Sequence, residues 1–170
     1  MTVKETKRLI IMRHAKSAWD DTTHSDHERT LNARGRRTAP IVADALVERG
    51  WQPNFVLSSD SRRTRETWEH MAERFSSRPR LRFDRSLYLA GLDEVQSAAQ
   101  TVFDEAHTLL VLGHNPGWED MASRLTNSYL SLKTADCVLM ERTAQSWAEA
   151  LADETGWAFI EFIPARSLTK

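Results

Sequence analysis

The chain has 170 residues, 41% apolar and 28% charged, and its 23 Lys and Arg balance 24 Asp and Glu to a net charge of -1. That length predicts one domain over residues 1–170 with a substantial core, and the even charge gives no electrostatic ground for a nucleic-acid partner. No run approaches the ~18 apolar residues of a membrane span, the leading MTVKETKR has no apolar stretch of the secretory type, and the lone Cys137 lacks any ligand spacing, so the expectation is a cytoplasmic protein away from membranes with Cys137 in its core.

Leu9-Ile10-Ile11-Met12 is a short continuous apolar run, the pattern of a strand buried on both faces, and it ends in Arg13-His14. Residues 17–30 (SAWDDTTHSDHERT) are polar without periodicity and read as a loop. A helix follows from near Leu31 to Arg49, with Ala39, Val42, Ala43 and Leu46 at i, i+3, i+4, i+7 and Gly50 as its stop. Phe55-Val56-Leu57 is a second strand, Ser58-Ser59-Asp60 supplies a helix cap, and the next helix turns Trp68, Met71, Ala72 and Phe75 to one side. A short strand near Leu81 to Phe83 and a helix from Asp93 to about Glu105 come next. Thr108 to Leu112 is a strand running into Gly113-His114-Asn115-Pro116, where Asn as cap and Pro as first residue predict a helix carrying Trp118, Met121, Ala122 and Leu125. Strands at Cys137 to Glu141 and Trp157 to Ile163, around a helical piece at Ala144 to Asp153, complete the chain. The alternation predicts a three-layer α/β sandwich, a mostly parallel central sheet with helices on both faces, and no repeat or linker interrupts it. Trp51, Trp118, Trp147 and Trp157 are assigned to the core, and His70 and His107 to helix surfaces.

Ligands of open α/β sheets sit beyond the carboxyl ends of strands. Here one strand delivers Arg13-His14, another precedes SSDSRRTRET, and a third delivers Gly113-His114. Each alone is an ordinary surface pair or turn; three strand ends that converge make a phosphate site. A phosphoryl group in transfer spreads negative charge over three oxygens, which guanidinium forks accept, and a neutral imidazole can attack phosphorus to form a covalent intermediate. A second imidazole ahead of a helix N-terminus can donate to the same oxygens. Such chemistry needs no metal or cofactor. On the helix after Ser61, Arg62 pairs with Glu66 and Arg65 with Glu69 at i, i+4, whereas Arg63 faces Thr67. His24 and His27 with Asp20, Asp21 and Asp26 lack regular ligand spacing and are a weak metal set.

RHAKSAWD, SSDSRRTRET and LVLGHNPGWED together resemble the histidine phosphatase superfamily, branch 1, and the short chain, RHAKS and DHERTLNARG resemble its SixA-like phosphohistidine phosphatase branch, over roughly residues 8–165. The resemblance implies a phosphoglycerate mutase-like fold, His14 as phosphorylated nucleophile, Arg13 and Arg63 as phosphate clamps, and His114 as second histidine, with Arg62 replacing Arg63 if the register slips by one. Lys16 and Asn115, beside these motifs, join the substrate-binding set. Ala15 stands where the family's RHG motif has glycine, Asp60 where proline is usual, and Asp20 where mutase-like relatives have asparagine. Asp20, Asp93 and Glu94 are the candidate proton donors, and none is fixed by a motif.

Expelling an alkoxide needs a general acid, whereas a phosphoramidate needs much less help. An unassigned acid therefore favours phosphohistidine in a partner protein, or a small phosphorylated compound, as substrate. Only about fifty residues separate Arg63 from His114, which leaves no room for a long covering insertion. The competing expectations are a phosphomonoesterase with a carboxylate acid, a phosphate-binding regulatory module without turnover, and a metal-dependent hydrolase.

Overall fold

The computed structural model describes residues 3–20 and 23–169. In chain order the elements are β1 (Glu5–Arg13), α1 (Ala33–Glu48), β2 (Phe55–Ser59), α2 (Arg62–Ala72), β3 (Arg80–Asp84), α3 (Leu92–Ala99), β4 (Thr108–Gly113), α4 (Gly117–Thr126), β5 (Cys137–Ala144), α5 (Trp147–Ala152) and β6 (Ala158–Ile163). Turns of 3-10 helix cover Arg85–Leu87 and Ala165–Ser167. The six strands form one sheet in the order β3-β2-β4-β1-β5-β6. β3, β2, β4 and β1 run parallel, while β5 is antiparallel to both β1 and β6. The sheet is thus mostly parallel, with its one reversed strand toward the β6 side.

Alternate residues of the central strands feed two separate cores. Leu9, Ile11, Leu109 and Val111 pack with Val95 of α3, Trp118 and Met121 of α4, and Trp147 and Leu151 of α5. Ile10, Met12, Leu110 and Leu112 pack with Val42 and Leu46 of α1 and Trp68 and Met71 of α2. Both faces are covered, which is why Leu9 to Met12 and Leu109 to Leu112 carry no polar residue and have no exposed surface. Trp51, Trp118, Trp147 and Cys137 are buried, and Trp157 packs partly buried against the first core.

Local chemistry sets the helix starts. Asn32 caps α1 by accepting from Gly35 N–H at 2.9 Å, and Ser61, one residue beyond the predicted Ser58-Ser59-Asp60, caps α2. α2 ends at Ala72, so that Phe75 packs from the turn beyond it, and four other expectations fail. Rather than running to near Glu105, α3 ends at Ala99, where the N–H groups of Thr101 and Val102 turn to the Ala98 and Ala99 carbonyls three residues back and the chain leaves the helix. His107 consequently lies in the segment ahead of β4, beside Glu5, while His70 is on the exposed face of α2. α4 begins at Gly117 with Pro116 as its cap residue, and the Asn115 side chain instead donates to the Leu132 carbonyl at 2.7 Å. Arg65 leaves Glu69 for the Asp60 carbonyl and the Phe83 ring, because that face lies over the loop after β2.

Candidate active site

Because β2, β4 and β1 are parallel neighbours, their carboxyl ends open on one edge. His14 extends the β1–β4 ladder by donating its N–H to Gly113 O at 3.0 Å, which sets it beside His114 with ring centroids 5.3 Å apart. Ser61 starts α2 so that Arg63 points inward, 2% exposed, while the Arg62 side chain is 48% exposed and pairs with Glu66. The register of the cap, not the composition of the arginine run, selects Arg63.

A hydrogen bond to a carbonyl fixes the tautomer of His14. His14 Nδ1 lies 2.7 Å from its neighbour's carbonyl Ala15 O, which only accepts, so Nδ1 carries the proton. His14 Nε2 is then the bare lone pair, and Arg63 Nε donates to it at 3.3 Å. Ser59 Oγ accepts from Ser61 N–H and lies 2.8 Å from His114 Nε2, a contact a hydroxyl can make as donor or as acceptor, which ties that edge of the ring and leaves His114 Nδ1 facing away from it. That Nδ1 is buried and has no partner among the described residues. Burial, then neighbouring positive charges, keep both rings neutral: His14 is well below its usual value and His114 is lowered to about 3.

The field comes from Arg63, Arg13 and Arg29, all of which act on His114. Arg13 holds the Leu132 carbonyl at 3.1 Å, and its Nε, like that of Arg29, is buried without a partner among the described residues. The loop of residues 23–30 contributes one carboxylate, Asp26. Its Oδ2 accepts from Arg63 at 3.1 Å and from the Tyr88 hydroxyl, and its Oδ1 from Arg29 at 3.0 Å. Partial burial pushes the Asp26 carboxyl up, but the hydrogen bonds from Tyr88 and Arg29 and the Arg63 charge outweigh it and hold the group well below the carboxylate range. Tyr88 also stands edge-on to His114 and His27. Gly117 seats the chain just after Tyr88, since a Cβ there would lie 1.7 Å from the Ala90 carbonyl oxygen.

The geometry thus gathers His14, Arg63, His114 and Arg13. Lys16 shares a cavity with Arg13, and Asn115 spends its amide N–H on Leu132. Among the candidate acids, Asp20 is exposed, as are Asp93 and Glu94 in the first turn of α3, where Glu94 accepts from Gly91 N–H at 3.1 Å. None of the three is hydrogen-bonded to His14, Arg63 or His114 among the described residues. Of the metal set, Asp21 lies outside the described residues, His27 Nε2 pairs with Asp60 at 2.7 Å, and Asp26 is taken by the arginines. Asp26, Arg29, Tyr88 and Ser59 were not singled out for this site by the sequence. Three of them come from segments without periodicity, and Ser59 looked like a cap.

A profile of the histidine phosphatase superfamily, branch 1, matches residues 9–88. An uncharacterized chloroplastic protein of Arabidopsis thaliana is 36% identical over 163 residues, covering 89% of this chain and 75% of the relative. The chain belongs to the histidine phosphatase superfamily. Within it the chain is SixA-like: a structure from Agrobacterium tumefaciens, titled as a candidate SixA phosphohistidine phosphatase, superposes with TM-score 0.76 at 26% identity, covering 92% of this chain and 97% of that one. A tungstate complex of the protein histidine phosphatase SixA shares the fold, with TM-score 0.77 at 20% identity over 95% of this chain and 99% of that one. The sheet and its two helical layers are therefore the phosphoglycerate mutase-like α/β arrangement of this superfamily.

Proposed function

We propose that the chain, as one domain over residues 1–170, is a metal-independent phosphatase that works through a phosphohistidine on His14. Its substrate is phosphohistidine in a protein or a small phosphorylated compound. The observation that supports this most is the tautomer of His14, whose Nε2 lone pair is bare, neutral and turned to the Arg63 guanidinium. A module that only binds phosphate is served by guanidiniums and has no use for an imidazole held in its nucleophilic form.

The phosphoryl oxygens take the donors of Arg63, Arg13 and His114 Nδ1, and displace the Asp26 carboxylate from Arg63. His14 Nε2 forms a bond to phosphorus as the bond to the leaving group breaks, and the leaving group takes a proton from solvent. Water then attacks phosphorus and gives up a proton to solvent, the Nε2–P bond breaks, and inorganic phosphate leaves. A second reading, hydrolysis of simple esters with a carboxylate acid, is favoured by Asp26, the acid in contact with Arg63 and Tyr88. Stripped of its guanidinium and placed beside a phosphoryl dianion, its carboxyl gains affinity for a proton.

The test is aryl phosphate hydrolysis in excess chelator by the native chain and His14→Ala. The reading expects undiminished native activity and a loss of at least about a thousandfold in the variant. Activity that vanishes with chelator, or survives in His14→Ala, overturns it. No helix among the described residues is long and apolar enough to cross a membrane. The cytoplasm is the proposed location, to be checked by fractionation, since the Arabidopsis relative is chloroplastic.

A further inference from the structure

Beside the catalytic groups lies a cavity of about 330 Å³ bounded by the loop after β1, the first turns of α1, the segment before β5 and the C-terminal 3-10 turn. Arg13, Lys16, Arg34, Lys133 and Arg166 all line it. In a molecule of net charge -1 that is a marked local excess. The lining also holds a carboxylate, Asp136, whose oxygens accept from the backbone N–H groups of Ala165 at 2.9 Å and Lys133 at 2.8 Å and whose charge offsets part of that of Arg13 and Lys133, leaving the cations in excess. Among the described residues the side chains of Lys16, Arg34, Lys133 and Arg166 form no ion pair.

Arg34, Lys133 and Arg166 are exposed and Lys16 is half-buried, and two features argue that they nevertheless serve an anion. Arg34 sits in the first turn of α1, which has no acidic residue, so a cation stands where the helix macrodipole is least favourable to it. Arg13 reaches both places. Its charge acts on His14 and His114, while its side chain lines the cavity and its buried Nε has no partner among the described residues. The cavity and the histidine pair thus share Arg13, although His14, Arg63 and His114 do not line the cavity themselves. Its size is at the small end of ligand pockets and its lining is polar, which suits a compact charged group rather than an apolar body.

We propose that this cavity binds a second phosphate of the substrate, so that the favoured substrate is a small molecule bearing two phosphate groups, one over His14 and one among Lys16, Arg34, Lys133 and Arg166. This rests on the reading of His14 as the phosphoryl acceptor, whose substrate class it narrows. Several cations around one small cavity match a dianion better than a carboxylate, and charge-assisted forks from two arginines suit phosphate oxygens.

The experiment uses the His14→Ala chain, in which turnover is removed, and calorimetric titration with propyl phosphate, 3-carboxypropyl phosphate, and the bisphosphates of ethane-, propane- and butanediol. One bisphosphate should bind at least about tenfold tighter than propyl phosphate and tighter than the carboxylate analogue. That preference should shrink as salt rises. Adding Arg34→Gln and Arg166→Gln together should abolish the preference and leave propyl phosphate binding unchanged, which also reports that the variant is folded. Equal binding of mono- and bisphosphates, a preference that survives the double substitution, or equal preference for the carboxylate overturns the proposal. So does a double variant in the native background that slows an acidic phosphohistidine peptide and leaves bisphosphates untouched, since the cavity then serves a protein. The two readings fail separately: turnover without bisphosphate preference removes only the second site, and bisphosphate preference without turnover in the native chain removes the phosphatase.

Discussion

Arg63 divides its guanidinium between His14 and Asp26, and that division sets the resting state of the site. With Arg63 occupied by an internal carboxylate, an incoming phosphate competes against Asp26 before it reaches the imidazole. Asp26→Asn removes the competing charge and, on the ester-hydrolysis reading, the proton of the acid. Aryl phosphates and phosphoramidates, whose leaving groups need little protonation, should then be hydrolysed within a few-fold of the native rate. Simple alkyl phosphates should lose about 100-fold or more. Equal losses on both classes, read from kcat/KM, contradict the role of Asp26 as acid. The position of Arg63 was legible from its motif, and Arg62 stayed open until the Ser61 cap fixed the helix register. Asp26 was not, because a carboxylate in a polar loop carries no periodic signal, and its partners Arg63 and Tyr88 lie 37 and 62 residues away.

At the scale of elements, the site depends on how α1 and α2 are pinned to the turn that carries His14. Thr67, one turn after Arg63, accepts from Ala15 N–H at 3.0 Å and donates to Arg63 O at 2.7 Å, linking the residue after His14 to the helix that carries Arg63. The start of α1 approaches the same turn so closely that a Cβ on Gly35 would lie 2.1 Å from Lys16 O, a backbone atom that cannot rotate away. Gly35→Ala should therefore cost about 1–3 kcal/mol in urea unfolding and weaken activity as the Lys16 turn shifts. An unchanged midpoint with full activity contradicts this packing. The central strands and α1 were readable because apolar runs and 3.6-residue spacing are local. The end of α3 and the start of α4 were not, since no Gly or Pro marks the first and an amide reaching Leu132 shapes the second through a contact that spacing does not encode.

For the whole molecule, the consequence of two neutral buried imidazoles is a pH dependence of stability. Both histidines have folded values below the usual ~6.5, so the unfolded chain binds more protons on the acid side of that value. Their contribution is fully present above pH ~6.5 and is lost as the pH falls below it, for His114 down to about 3. Urea unfolding should show stability dropping between pH 7 and 5 by up to ~1.4 kcal/mol per unit for each ring, with a shallower slope in His114→Gln. A flat profile over that range contradicts neutral, protected rings.

Transfer of the phosphoryl group to His14 leaves a covalent adduct that can be weighed. The native chain and His14→Ala are mixed with a phosphohistidine peptide, and separately with an aryl phosphate, in the presence of chelator, quenched early and weighed intact. The account predicts an acid-labile phosphoryl adduct on the native chain alone, accompanied by phosphate release. No adduct and no release on either substrate, or an adduct that persists in His14→Ala, contradicts it.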